Sequence, residues 1–273
     1  MFIGTNVYGW KQLAQLADRP FDRRAAMRSA REAGLTGWED AVRTPEEAAG
    51  VAEDAAAEGL SMGSVYVFGA FHDEAPAREA TETALAIADV LQPHGVARYI
   101  SNPDPLPEGA LKSDAQLRIQ RTALESLGRS LAERGAELLF HTHAPEMRAA
   151  AREFHHMLAA TDPAAVRLCL DVHWIWRGAG NSMVALEDVI RLYGSRVSEL
   201  HLRQSRGGVW DQSIGEGDID LARVAEMLAE QGARPLLVIE HAYEDGTPMT
   251  MELIAAHAAS VETVARLFGP IGA

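Results

Sequence analysis

The stretch Glu133-Arg134-Gly135-Ala136-Glu137-Leu138-Leu139-Phe140-His141-Thr142-His143 decides the fold. Before it, Leu117, Leu124, Leu127 and Leu131 recur on one helical face, and Ser113-Asp114-Ala115-Gln116 reads as a capping box at that helix's start. Gly135 ends the helix, because the residue past the last turn commonly needs a left-handed backbone. A short apolar run follows, and then polar residues. Working outward, the same helix–glycine–apolar unit returns at Gly34, Gly59, Gly95, Gly194 and Gly232. Thr44-Pro45-Glu46-Glu47 adds a second N-terminal cap, with proline at the first helical position. Strands are expected at 2–6, 37–39, 62–67, 97–101, 137–141, 167–171, 198–202 and 236–240, each followed by a helix, the last at 249–268. Weak alternation within these runs suits parallel strands buried on both faces. Eight strand–helix units without a composition break predict an α/β protein, a single (β/α)8 TIM barrel over residues 1–273. No glycine-rich phosphate fingerprint follows the first strand, as a doubly wound sheet would require.

Composition narrows the partners. The chain has 39 Asp+Glu against 25 Lys+Arg, a formal charge of -14. So acidic a surface repels phosphate backbones and anionic lipid, which argues against nucleic-acid and membrane partners. A single cysteine, Cys169, excludes an intrachain disulfide and a multi-cysteine metal site, and on a buried strand it reads as core. The opening Met1-Phe2-Ile3-Gly4-Thr5-Asn6 has neither a basic nor an apolar leader region, the pattern expected of a cytoplasmic protein. Whether the chain forms a homo-oligomer stays open.

In a barrel of this kind the C-terminal strand ends converge on one face. Read in order they are Asn6, Glu39, Tyr66, Ser101, His141, Asp171, His201 and Glu240. The second half concentrates metal-ligand types in Phe140-His141-Thr142-His143, Leu170-Asp171-Val172-His173, Leu200-His201-Leu202-Arg203 and Ile239-Glu240-His241. A lone histidine or aspartate at a strand end is usually a packing or capping residue. Four in register on consecutive strands point to one divalent ion. Imidazoles mixed with carboxylates suit Mn, Co, Zn, Fe or Ni better than Mg.

These motifs resemble the xylose isomerase-like TIM barrels of sugar phosphate isomerases and epimerases. Leu200-His201-Leu202-Arg203-Gln204 is similar to a strand-seven His-x-Lys/Arg-Asp element, and Gly215-Glu216-Gly217-Asp218-Ile219-Asp220 to the Gly-x-Gly-x-Ile/Val-Asp loop after it. Asp171-Val172-His173-Trp174 resembles the strand-six Asp-x-Gly-Trp/His element, and Gly37-Trp38-Glu39 the strand-two Gly-x-Glu element. The resemblance implies His141, Asp171, His201 and Glu240 as metal ligands, His141 standing where glutamate is usual. It implies an isomerase or epimerase that moves a proton beside the carbonyl of a ketose, sugar acid or related polyol through an enediolate. Loss of a β-hydroxyl from the same enediolate would give an inosose dehydratase-like reaction instead. Glu240 is the leading general base, and His143 or His173 the carrier of a second proton. Arg203, Glu39, Trp10 and Trp174 are expected to bind substrate, with Trp38, Phe68, Trp176 and Trp210 also near the upper loops. Glu199 is expected deeper, in an ion pair. His94, His155, His156 and His257 are expected outside the site, and residues 206–210 as a flexible loop that either closes over the substrate or is an ordinary surface loop.

Two other functions are weighed. The apurinic endonuclease branch of this barrel looks to need further early-strand histidines and a basic surface, where this chain has only His72 and a strongly acidic balance. A non-catalytic carbohydrate-binding barrel would not need the ligand quartet.

Overall fold

The computed structural model describes residues 1–273. Eight parallel strands close into a barrel: β1 (Ile3–Asn6), β2 (Gly37–Ala41), β3 (Ser64–Tyr66), β4 (Arg98–Ser101), β5 (Glu137–Phe140), β6 (Val166–Asp171), β7 (Val197–Leu202) and, last, β10 (Leu236–Ile239). The antiparallel pair β8 (Ser205–Arg206) and β9 (Val209–Trp210) forms a hairpin above β7. The barrel closes where β1 pairs with both β2 and β10. Register sets the height of the functional residues: Asp171 pairs with His201, and His201 with Val238. His141 and Glu240 lie one residue beyond their strands, held by His141 N to Ser101 O (2.9 Å) and Glu240 N to Leu202 O (3.1 Å).

Helices α1 (Val7–Leu16), α2 (Arg23–Glu32), α3 (Pro45–Ala57), α4 (Glu74–Leu91), α5 (Asp114–Ala132), α6 (Arg148–Ala159), α7 (Val172–Gly178), α8 (Met183–Tyr193), α9 (Leu221–Glu230) and α10 (Leu253–Phe268) surround it. The caps read from sequence form: Thr44 accepts from Glu47 N, and Ser113 and Gln116 make the reciprocal box. Gly135 has φ +73°, as a helix-ending glycine should, but Gly194 stays right-handed because the chain continues into a 3-10 turn. A core of 64 buried apolar residues packs helices on strands. Tyr66, Ile100, Leu139 and Cys169 make a small separate cluster.

Two strand–helix links are more elaborate than the sequence indicates. Two helices follow β1: α1 ends at its Ala17 cap, and Asp18 turns the chain with φ +48° before α2 begins at Arg23. The chain also turns from β6 straight into α7, because Asp171 Oδ1 accepts from the backbone N–H groups of His173 (2.8 Å) and Trp174 (2.7 Å). No helix is long and apolar enough to cross a membrane.

Gly9 lets α1 lie against the segment after β10: a methyl group there would meet His241 O at 2.3 Å. Gly9→Ala should destabilise the fold by about 1–3 kcal/mol, read as a lower urea midpoint. An unchanged midpoint would mean that α1 shifts freely.

Candidate functional site

Strand parity places residues two apart on the same side of the sheet. The parity that points Cys169 inward therefore also points Asp171 inward on β6, and Glu199 and His201 follow each other on β7, with Arg203 one residue past its end. At the mouth, donor atoms of His141, Asp171, His201 and Glu240 all lie within 4.8 Å of one another, and all four residues are buried. His141 Nε2 is 3.7 Å from Asp171 Oδ2, and His201 Nδ1 is 3.1 Å from Glu240 Oε2. Both ring nitrogens of His141 and the Oδ2 of Asp171 are buried without a hydrogen-bond partner. Each such orphan costs about 1–3 kcal/mol, and His141 Nε2 beside Asp171 Oδ2 suits a divalent cation between them. Asp171 divides its oxygens, one capping α7 and the other free.

Around this quartet the charges are arranged by Arg203, which is itself buried. Its Nε donates to Glu240 O (2.8 Å), and its Nη2 stands 3.1 Å from Glu240 Oε2. Its guanidinium lies over the rings of Trp210 (4.6 Å) and Trp174 (5.6 Å). Burial alone would raise the pKa of Glu240, but Arg203 and His201 overcome it and hold the carboxyl well below the usual range. His143 stands beside the quartet, 4.8 Å from the His141 ring and edge-on to Trp174 at 5.3 Å. Burial, reinforced by His141, lowers its pKa to about 4, so the ring is neutral at pH 7.

Beneath His201 lies a second layer. Ser64 Oγ donates to Glu39 (2.7 Å) or Glu199 (2.9 Å), and His201 Nε2 is 3.2 Å from Glu39 Oε1 and 3.3 Å from Glu199 Oε1. Burial and then the adjacent Glu39 push Glu199 up to about 8, while His201 and Asn6 outweigh burial to bring Glu39 to about 2. Glu199 lies against His201 where an ion pair was expected, but it is mostly protonated at pH 7, and the charged partner of His201 in this layer is Glu39. Sequence reasoning missed Ser64 and gave no role to Tyr66, named among the strand ends, whose hydroxyl is 3.4 Å from His201 Nδ1. Period-two parity on β3 is the signal that would have found both.

Three expected site residues are placed otherwise. Glu39 spends its oxygens on Asn6 (2.6 Å), Ser64 and His201, so it steadies a mouth residue rather than facing substrate. Trp10 packs into the core: its Nε1 donates to Thr5 Oγ1 (3.1 Å), and its ring stacks on His257 at 4.3 Å. His173, on α7, is turned under the hairpin, where its Nδ1 accepts from Trp210 Nε1 (3.3 Å). Trp174 stays half-buried at the mouth, whereas Trp38 and Trp176 are core. Phe68 is half-buried under the Arg43 guanidinium, 4.2 Å away. His94 is exposed, and His155 bonds Tyr193 among the outer helices.

Residues 206–210 are not a free loop. Gly207 and Gly208 turn the hairpin with φ +60° and +82°, and Asp218 accepts from both amides (2.9 and 2.8 Å). Arg177 clamps Glu244 (3.0 and 2.8 Å) and Gly208 O (2.6 Å), and Glu244 in turn accepts from Trp210 N (2.8 Å). Gln204, where aspartate is usual in the resemblance, holds the 215–219 loop through Gly215 O and Ile219 O, each at 3.0 Å.

Residues 27–265 match the family model described as xylose isomerase-like TIM barrel. The chain belongs to the xylose isomerase-like TIM barrel family. Among similar solved structures is a sugar phosphate isomerase/epimerase from Parabacteroides distasonis, with TM-score 0.73 and 16% identity, covering 98% of this chain and 94% of that one. A D-allulose 3-epimerase from Methylomonas sp. gives TM-score 0.72 and 16% identity, covering 98% and 97%. An AP endonuclease, family 2, from Brucella melitensis gives 0.69 and 15%, covering 97% and 98%. At these identities the likeness shows the shared barrel. No curated protein matches this sequence.

His257 yields a pH prediction. Burial against Trp10 and His241 lowers its pKa to about 4. The unfolded chain takes up that proton near pH 6.5, so it binds more protons than the fold between pH 6.5 and 4. The stability present above pH 6.5 should therefore be lost as pH falls, by roughly 3 kcal/mol at pH 4. His257→Phe keeps the stacking and should flatten the fall in Tm over that interval; an equally steep fall would assign it to other groups.

Proposed function

We propose that the protein is a divalent-metal-dependent isomerase or epimerase acting on a ketose, sugar acid or related polyol. The observation that carries this reading is the buried convergence of His141, Asp171, His201 and Glu240, with three donor atoms left unpartnered. The names of neighbours such as the D-allulose 3-epimerase support it. A divalent cation bound there would polarise a substrate carbonyl and stabilise the enediolate charge that develops when the adjacent carbon loses its proton.

The chain's own residues supply the rest. Glu240 remains a carboxylate, since Arg203 and His201 favour its charged form, and so can accept a proton on one side of the substrate. His143, neutral and half-buried at the mouth, is the second carrier in place of His173, whose ring is engaged by Trp210. Arg203 and Trp174 form the wall against which substrate oxygens and C–H faces rest. Trp210 and the clamped hairpin hold that wall in place.

The test is proton exchange. Candidate ketoses and keto-inositols incubated in heavy water should take up deuterium beside the carbonyl, followed by NMR; water loss would instead mark a dehydratase. Asp171→Ala and His201→Ala should abolish turnover and bound metal while circular dichroism is unchanged. His143→Gln should keep the metal and lower turnover about 10²–10⁴-fold. Full activity in a metal-free Asp171→Ala protein would overturn the proposal.

A further inference from the structure

The amide N–H of His143 donates to Glu146 Oε2 (2.7 Å), drawing the 3-10 turn Ala144–Met147 back onto the residue before it. A glutamate at the third position of such a turn is an ordinary cap when it stands in water. Glu146 does not: it is 3% exposed, and it takes part in no ion pair, because the nearby Lys112 is spent on Glu153 (2.6 Å). Burial raises its pKa above the ordinary carboxyl value, and the bond from His143 N offsets only part of that rise. A carboxyl so placed costs stability that an apolar side chain of similar volume would not. The turn is also pressed from other sides. A methyl group on Gly178 of α7 would meet Met147 Cβ at 2.7 Å. Arg148 donates to Pro145 O (3.2 Å) and to Gly109 O (2.9 Å), tying the turn to the segment after β4. Ala149, Ala150 and Ala151 follow with φ +52°, +60° and +54°, a left-handed backbone that alanine adopts only where its surroundings impose it. A segment held this firmly, at a cost, ends at one ring: His143 lies 4.8 Å from the His141 ring and 5.3 Å from that of Trp174.

We propose that Glu146 is a positioning residue, which fixes the His143 ring between His141 and Trp174 by accepting from the His143 amide. It touches neither the ligand quartet nor the substrate wall, and it acts only through the backbone it holds. The physical reason for such a brace is that proton transfer tolerates little error in placement, and a misplacement of about 1 Å can cost roughly 10²-fold in rate. This inference rests on reading the quartet as a metal centre with His143 as the proton carrier beside it.

Cobalt is the probe, because a paramagnetic ion reports distances without turnover. The full-length protein, stripped with chelator and loaded with Co(II), should show strongly shifted ring-proton resonances from the ligands His141 and His201. His143, just outside the ligand set, should give a smaller shift that falls steeply with its distance from the ion, assigned by its loss in His143→Gln. Glu146→Leu should leave the ligand resonances in place and collapse the His143 shift, and Glu146→Gln, which still presents an oxygen acceptor, should restore it. Glu146→Asp keeps the charge but draws the acceptor back by one methylene, and should give a partial collapse even if the leucine variant does not fold. A His143 shift unchanged in both Glu146→Leu and Glu146→Asp would overturn the proposal, and so would ligand resonances that move together with it, since Glu146 would then support the whole mouth. Absence of any shifted resonance in the unmodified chain would overturn the metal reading itself, a failure distinct from either of these.

Discussion

Negative charge gathered where water cannot reach it is the constraint around which this molecule is arranged. Asp171, Glu240, Glu39 and Glu199 are buried at the mouth of one barrel, each touching His201 or lying within ligand distance of it. Carboxylates so close in a medium of low dielectric repel strongly unless cations or hydrogen bonds offset them. Arg203 answers Glu240 from one side, the Ser64 hydroxyl and a shared proton settle Glu39 and Glu199 below, and His201 bridges the two layers with its two nitrogens. Among the atoms left without a partner are the Oδ2 of Asp171 and both nitrogens of the His141 ring, and that unmet demand is where a metal reading acquires its physical content.

The surrounding architecture holds these groups still. Asp171 is oriented by the helix it caps, so a change in the start of α7 would turn its free oxygen. Arg203 lies against two indoles and bonds the Glu240 carbonyl, which leaves its guanidinium little freedom to leave Glu240. Trp210 belongs to a hairpin braced by Asp218, Arg177 and Glu244, three residues from three different segments. The motif around Gly215–Ile219 has a structural duty as well: it is tied to Gln204 directly below that hairpin. A rigid wall of this kind suits a reaction whose partition depends on where one proton donor points.

Much of the barrel was legible because helix-ending glycines and caps are local signals. The convergence of His141, Asp171, His201 and Glu240 was legible because strand ends of a barrel converge whatever the loops do. The residues expected to bind substrate were harder. Trp10 and Glu39 sit at the right height in sequence, yet Trp10 found a stacking partner in His257 on α10, and Glu39 found Asn6 and Ser64 on neighbouring strands. Such choices are made between residues far apart in the chain, and no periodicity encodes them. His173 and the 206–210 segment were misplaced for a related reason, since a helix begun by Asp171 and a clamp from Glu244 lie outside any local pattern.

The chain by itself determined the closed barrel, its family and the four convergent side chains, because helix caps, apolar runs and period-two parity act over a few residues. Only the tertiary structure decided that His143 rather than His173 faces the mouth, that Glu199 and Glu39 form a layer under His201, and that Cys169 lies within reach of two imidazoles. Those outcomes depend on the register between strands and on which buried donor finds which acceptor. That competition is settled only when all the elements are packed together.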